Sequence, residues 1–372
     1  MCSMLKSSHR LRLLFALCGM LSLLHGVSLG QISGLSTLSV LDMPASTRSS
    51  SLGMDYLAVP LPGIDVAIDN PSLISPHLSG RVTLGYIGIA SGSNFGTVAY
   101  GHSFDRWGTF VYGLRFCSYG SFDGYTEEEV STGSFSAGDY VFSIGWGKPV
   151  TDNLTFGVSF KPVYSHYESY NAFAIAFDVA GSYVSSSQLL AASVLARNIG
   201  VQVFSFDNTV EHLPFELTAG LSYKLQNAPF RFFLNLAELQ RWNLAYEDAL
   251  NPTTETDPFS GEVITQSKSK AFFDKLGRHV LVGVELSIGK SFSARIGYNY
   301  RQTAEMTAAD VLNMSGFSFG FGFSIRGFDV SYSHNNYHLW QAPNYISVST
   351  DINRFFRKKN TGDDLPTIPS IE

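Results

Sequence analysis

From residue 81 to residue 350 the chain keeps one rule: apolar side chains occupy every second position. In residues 316–332, Phe317, Phe319, Phe321 and Phe323 alternate with Ser318, Gly320, Gly322 and Ser324. Successive side chains of a strand point to opposite faces, so such a segment has one greasy face and one very small face. The same holds for Val82, Leu84 and Tyr86, for Phe110 to Phe116, for Tyr140 to Trp146, for Leu154 to Phe160, for Leu217 to Leu225, for Val280 to Ile288 and for Phe292 to Tyr300. Period two sustained this long specifies an antiparallel sheet.

Fourteen such segments can be marked, at about 81–89, 95–103, 108–119, 138–148, 153–166, 171–184, 188–198, 214–225, 229–237, 277–288, 291–301, 316–325, 327–335 and 341–350. Their connections sort by length. Short links follow the second, fourth, sixth, eighth, tenth and twelfth segments, while 120–137, 199–213, 238–276 and 302–315 are long. Short turns on one side and long loops on the other mark an outer-membrane barrel. Most segments have the roughly 9–11 residues that a tilted strand needs to cross a bilayer. In lipid a sheet can span only if it closes, because every backbone polar group must be paired. A soluble sandwich would put many charges opposite its apolar faces; here charged residues are only 15% against 14% aromatics. The expected fold class is therefore all-β, a transmembrane antiparallel barrel of about 14 strands spanning 81–351. Outer-membrane lipid is its first partner. A net charge of −6 speaks against a nucleic-acid binder.

The first thirty residues read as a secretory signal peptide: Lys6, Arg10 and Arg12, an apolar run from Leu13 to Leu24, then Ser28-Leu29-Gly30. Removing it takes away Cys2 and Cys18 and leaves Cys117 as a lone strand residue, so no intrachain disulfide is expected. Residues 31–80 are polar and small with a few apolar positions, and are expected to plug the lumen or to close it from the periplasm. Residues 352–372 read as a polar periplasmic tail.

Inward positions carry Arg115, Lys161, Asp178, Glu216, Lys224, Arg231, Glu285, Arg295 and Asp329. Both signs occur in similar number, which fits a lumen filled by ion pairs better than a pore lined with one sign of charge. No catalytic triad stands out, no cofactor or metal site is implied, and the chain is not expected to be an enzyme. The run Glu127, Glu128 and Glu129 in the 120–137 loop fits a solvated charge cluster better than a cation site. Large exposed loops on rigid scaffolds carry partner contacts. The candidates here are Tyr125, Glu127, Glu128, Glu129, Trp242, Tyr246 and Phe259. Trp107, Trp146, Trp242 and Trp340 fall near strand ends, where an aromatic girdle would place them.

Several stretches go further than periodicity. LPFELTAGLSYKLQNAPFRFFLNLAELQRWNL (213–244), ARNIG (196–200), DKLGRHVLVGVE (274–285), IGYNYR (296–301) and GFSFGFGF (316–323) resemble the PorQ family of the type IX secretion system. MPASTRSSSLG (43–53) and DNPSLI (69–74) resemble the N-terminal part of that family and its wider relatives. The resemblance implies a FadL-like barrel that anchors a PorZ-like surface protein, alongside a PorU-like sortase and a PorV-like barrel. The alternative is a FadL-like channel for hydrophobic small molecules. An obstructed, ion-paired lumen favours the anchor. An apolar pocket leading to a lateral break near Asn70-Pro71 favours the channel. On the strand itself, Phe319 is expected to face lipid, and Gly320→Ser to be mild.

Overall fold

The alternation closes into a ring. The structure is a computed structural model that describes residues 38–356, except 55, 89–92, 127, 207–210, 245–253, 257–262, 266–267, 290, 306–313 and 337–342. The signal-peptide region, the end of the tail from 357 onward, Glu127, Tyr246, Phe259 and Trp340 lie outside the described residues.

The barrel strands are β1 (Arg81–Gly88), β2 (Asn94–Phe104), β3 (Gly108–Tyr125), β4 (Ser131–Pro149), β5 (Leu154–Tyr167), β6 (Tyr170–Val184) and β7 (Leu190–Phe204). They continue as β8 (Glu216–Lys224), β9 (Phe230–Leu236), β10 (Val280–Ile288), β11 (Phe292–Asn299), β12 (Phe317–Ile325), β13 (Phe328–Asn335) and β14 (Asn344–Asp351). Each pairs antiparallel with its neighbours in sequence, and β1 pairs with β14 from Arg81↔Asp351 to Gly88↔Asn344. Six tight connections and both ends of the barrel segment share one rim; all the long connections lie on the other, together with the tight β5–β6 turn. The turn between β12 and β13 is the two residues Arg326-Gly327, with φ of 50° and 88°. Two left-handed residues give a primed turn, whose twist matches the flanking strands.

Leu84, Tyr86, Leu114, Phe116, Tyr140, Phe142, Phe156, Phe160 and the four phenylalanines of β12 are all exposed on the outside of the ring. An apolar surface of this extent on a sheet without edges is stable only in a bilayer. The chain is an outer-membrane β-barrel, and its short-turn rim faces the periplasm.

The opposite, inner face is occupied. Residues 38–80 run through the lumen as a plug made of short helical turns. These include α1 (Thr47–Ser50), capped by Ser46 Oγ, and α2 (Ile64–Asp69). Ile64, Ala67, Ile68, Ile74 and Leu78 pack with the wall residues Ala99 and Val111. Leu52, Met54, Leu57, Val59, Val66 and Leu73 pack with Phe233 and Leu281. Each fully buried Leu or Ile contributes about 1.5–3 kcal/mol.

The wall is small because the plug backbone lies against it. A Cβ added at Gly157 would meet the Pro71 carbonyl, one at Gly147 the Ile74 backbone, and one at Gly297 the Leu52 backbone. A Cβ at Gly320 would stand 2.6 Å from Ser51 Cβ. Gly320→Ser is therefore not mild, which corrects the sequence expectation: the small face is a contact surface, not spare room. Asn70-Pro71 is also not a break in the wall, because both residues are buried within the plug.

Several segment boundaries differ from those expected, three of them most. The 120–137 stretch is no open loop, since β3 and β4 continue through it with aligned pairs such as Phe122↔Phe135 and turn at 126–130. The β7 strand likewise runs on to Phe204, past a register shift between Phe177 and Val179 on β6. Residues 277–279 end a helix, α3 (Lys268–His279), that leads straight into β10.

Two substitutions on β12 should separate its faces. Phe319→Arg should weaken membrane folding by about 2–4 kcal/mol near the midplane. Gly320→Ser should leave the barrel heat-resistant in gels while making the plug accessible to added protease. A plug equally protected in wild type and Gly320→Ser would refute the close approach.

Candidate functional site

Every wall charge singled out from the sequence except Lys224 points into a network shared with the plug or with a neighbouring strand. Glu285 on β10 is the most connected. Arg48 of the plug clasps it with two hydrogen bonds, Nε to Oε2 at 2.8 Å and Nη2 to Oε1 at 2.7 Å. Arg295, its register partner on β11, donates Nε to the same Oε2 at 2.6 Å. Arg115 donates to Met43 O at 2.9 Å and lies 3.4 Å from Asp69 Oδ1, while Asp69 Oδ2 accepts the Ala45 amide at 2.9 Å. Lys161 sits 2.6 Å from Asp178 and donates to Asn198 Oδ1 at 2.6 Å. Glu216 pairs with Arg197 at 2.7 Å, and Arg197 also reaches Asp42 at 3.7 Å. Arg231 makes no ion pair among the described residues; it donates to Ser222 Oγ and to the carbonyls of Gln188 and Leu189. Asp329 pairs with Arg81 at 3.2 Å at the periplasmic rim.

Lys224 departs from the expectation. As the last residue of β8 it is exposed at the periplasmic mouth, where water solvates it, and it makes no ion pair among the described residues. The plug partners Asp42, Arg48 and Asp69 escaped sequence reading, since nothing in the polar 31–80 stretch ties one charge to a particular strand. Arg197, buried on β7, escaped it too.

Neutral contacts complete the seal. Asn235 Nδ2 donates to Tyr56 O at 2.7 Å, Ser222 Oγ to Ala58 O at 2.6 Å, and Asn70 Nδ2 to Ser193 Oγ at 3.3 Å. Ser72 and Ser182 share a short hydrogen bond. Breaking one partner out of a buried pair typically costs 3–5 kcal/mol, so the plug is held firmly.

Towards the outer rim the inner wall changes character. Ile87, Phe95, Cys117, Val141, Val163, Ala174, Ala176 and Tyr345 all point inward and form one apolar cluster with Leu213. The front of the plug, Leu38, Val40 and Leu41, fills it.

At the outer surface, Tyr125 stands exposed at the end of β3, and Glu128 and Glu129 form an exposed turn organised by Thr126. This hairpin is remote in sequence from the second loop candidate, Trp242, which is 54% exposed. Trp242 stacks on His279 at 5.7 Å and packs against Phe272 at 5.8 Å. Phe273, 67% exposed, extends this surface along α3. Ion pairs fasten the platform beneath: Arg301, on α4 (Tyr300–Glu305), lies 2.8 Å from Glu238, and Arg241 also pairs with Glu238. Asp274 accepts from Arg278 at 2.9 Å and from Tyr300 at 2.7 Å. Burial alone would raise the Glu238 carboxyl; the Arg301 charge, with hydrogen bonds from Arg301 and Arg241, outweighs it and holds the group below its ordinary value.

No family model matches the chain, and no curated protein matches it. Among solved structures it is similar to the Pseudomonas putida toluene transporter TodX, at 14% identity and a TM-score of 0.48, covering 83% of this chain and 98% of that one. It is similar to the monoaromatic hydrocarbon channel CymD at 12% identity and a TM-score of 0.48, with the same coverage. The KdgM porin follows at 6% identity and a TM-score of 0.32, covering 73% of this chain and 98% of that one. At such values the reading of this barrel rests on its own strand pairing and lumen.

Two outcomes are expected. Glu285→Gln leaves Arg48 and Arg295 without their carboxylate, and the plug should become protease-sensitive at urea concentrations where the wild type stays protected. For Glu238, a folded pKa below the unfolded one means stabilisation that is present above the unfolded value, near 4.3, and lost only as pH falls through the lower folded value. Amide exchange at Leu239 and Arg241, corrected for intrinsic rate, should therefore stay slow through the ordinary carboxylate range. Loss of protection at the ordinary value would contradict the pairing.

Proposed function

We propose that the protein is an outer-membrane channel for apolar small molecules, closed by its own N-terminal segment. One observation carries this: the outer half of the lumen has an apolar inner wall, Ile87, Phe95, Val141, Val163 and Tyr345, and what occupies it is a row of aliphatic side chains, Leu38, Val40 and Leu41. A wall built only to hold an ion-paired plug has no need of that cluster. Its chemistry suits an uncharged, apolar guest that competes with the plug tip for the same contacts. The polar clasps Arg48–Glu285 and Asp69–Arg115 then keep the plug body in place while its tip gives way.

Uptake of a labelled apolar aromatic by intact cells tests the reading. Cells carrying the full chain should take up the probe several-fold faster than cells without it, and Leu41→Ser should raise the rate again. Equal uptake with and without the chain would rule the channel out.

A second reading has its own support. The sequence stretches similar to the PorQ family suggest a barrel of the type IX secretion system that holds a PorZ-like surface protein, with a PorU-like sortase and a PorV-like barrel as further partners. The exposed surface of Trp242, Phe272 and Phe273, braced by Glu238 and Arg301, is a suitable docking platform. Hot spots of interfaces are rich in such aromatics. Deleting 238–276 should release the surface partner from intact cells while the barrel still inserts; a retained partner would count against docking at this platform.

A further inference from the structure

In the apolar outer half of the lumen, two polar atoms without partners among the described residues lie opposite each other on one strand pair. Asp139 on β4 is wholly buried. Its Oδ2 accepts from Tyr119 Oη at 2.7 Å and from Tyr167 Oη at 3.1 Å. Its Oδ1 is buried and has no hydrogen-bond partner among the described residues. Directly opposite in the β4–β5 register is Ser165, also wholly buried, whose Oγ likewise has none. Next to them the wall is small or apolar: Cys117 pairs with Asp139 across β3–β4, and Ala172 pairs with Ser165 across β5–β6. Cys117 belongs to the cluster that Leu38, Val40 and Leu41 fill. Aromatic rings line the same region, with Phe95 and Tyr119 at 6.5 Å, Tyr119 and Tyr167 at 5.6 Å, and Tyr167 and Phe206 at 5.0 Å.

A buried polar atom without a partner is costly, and a carboxylate oxygen more so than a neutral one. Native proteins keep few such atoms, and they often mark a place where something binds. The two orphans are complementary: one accepts only, and the other can donate. A hydroxyl has one hydrogen to give and two lone pairs to receive with. It therefore matches both at once, donating to Asp139 Oδ1 and accepting from Ser165 Oγ.

We infer that the guest of this lumen is an apolar small molecule bearing one hydroxyl head, of the phenol or alkanol class. Asp139 and Ser165 recognise the head, and the body takes the place of the plug tip. This rests on the channel reading above and adds to it a choice among apolar guests. A pure hydrocarbon fills the apolar contacts but leaves both polar atoms unpaired, whereas a hydroxylated one satisfies them. Sites built to hydrogen-bond a hydroxyl discriminate strongly against analogues that lack it, for that reason.

The test uses the full chain in nanodiscs and ligand-detected NMR, with empty nanodiscs as control. The probes are p-cresol, toluene and 4-methylanisole. They share ring and methyl group; only the first can donate. p-Cresol should bind roughly tenfold tighter than the other two. Asp139→Asn keeps the side-chain shape, and its amide oxygen can still accept from the two tyrosines. It places a donor where the free acceptor was, so 4-methylanisole, whose oxygen can only accept, should gain, and the preference of p-cresol over it should vanish. Ser165→Ala should weaken p-cresol and leave toluene unchanged. Three probes bound equally by wild type and by Asp139→Asn would overturn the hydroxyl assignment, with water left as the partner of both atoms, and leave the apolar site standing. A p-cresol preference over 4-methylanisole that survives Asp139→Asn would overturn the role of Asp139. If none of the three binds, the channel reading itself falls.

Discussion

Everything in this molecule follows from the absence of water in the layer it crosses. Backbone groups that face lipid must be paired within the protein, and a sheet achieves that only by meeting itself. Here the meeting is the eight-pair ladder from Arg81↔Asp351 to Gly88↔Asn344. Closure then creates a second problem, because a fourteen-strand ring encloses more space than wall side chains alone can fill. The plug solves it, and the solution explains the odd composition of the inner face. Glycine and serine line the wall because another backbone lies against them, at Gly157 and Pro71 or Gly297 and Leu52. Where charges appear, most are matched, either across that contact, as at Arg48 and Glu285, or between neighbouring strands, as at Lys161 and Asp178.

The ring itself was legible in the sequence because lipid demands the same alternation on every strand. Phe317 to Phe323 could hardly have been anything else. Which side chains point inward was legible for the same reason. What they touch was not. The partners Arg48 and Glu285 are 237 residues apart, and no periodicity links them. Lys224 shows the limit from the other side: it shares the inward parity of the buried charges, yet it ends its strand and so meets solvent. The 120–137 stretch looked like a loop because its glycines and serines match turn composition, but strand pairing carried β3 and β4 onward past the membrane. The orphan oxygen of Asp139 depends on two tyrosines, one on β3 and one at the end of β5, and so could not be seen at all.

The two ends of the lumen answer to different chemistry. On the periplasmic side Arg48 and Glu285 fix the plug with charge, in a direction-specific way that tolerates little movement. On the outer side Leu38, Val40 and Leu41 hold it by apolar contact, which is non-directional and can be exchanged for similar contact. A plug whose tip is held by apolar contact, with Asp42, Asp69 and Arg48 ion-paired behind it, can yield at the tip without leaving the barrel.

The place where the plug joins the wall has a consequence for biogenesis. Gly80, its last residue, donates its amide to Gly101 O and accepts from the Ile352 amide, so it sits at the seam where first and last strands meet. The chain that fills the lumen is thus continuous with one lip of the closing seam. Threading it in afterwards would mean passing folded turns and the charged Arg48 side chain through a finished ring. The simpler order has the last strand zip onto the first with the plug already gathered inside, so that the cell's insertion machinery handles a sheet wrapping around its own contents.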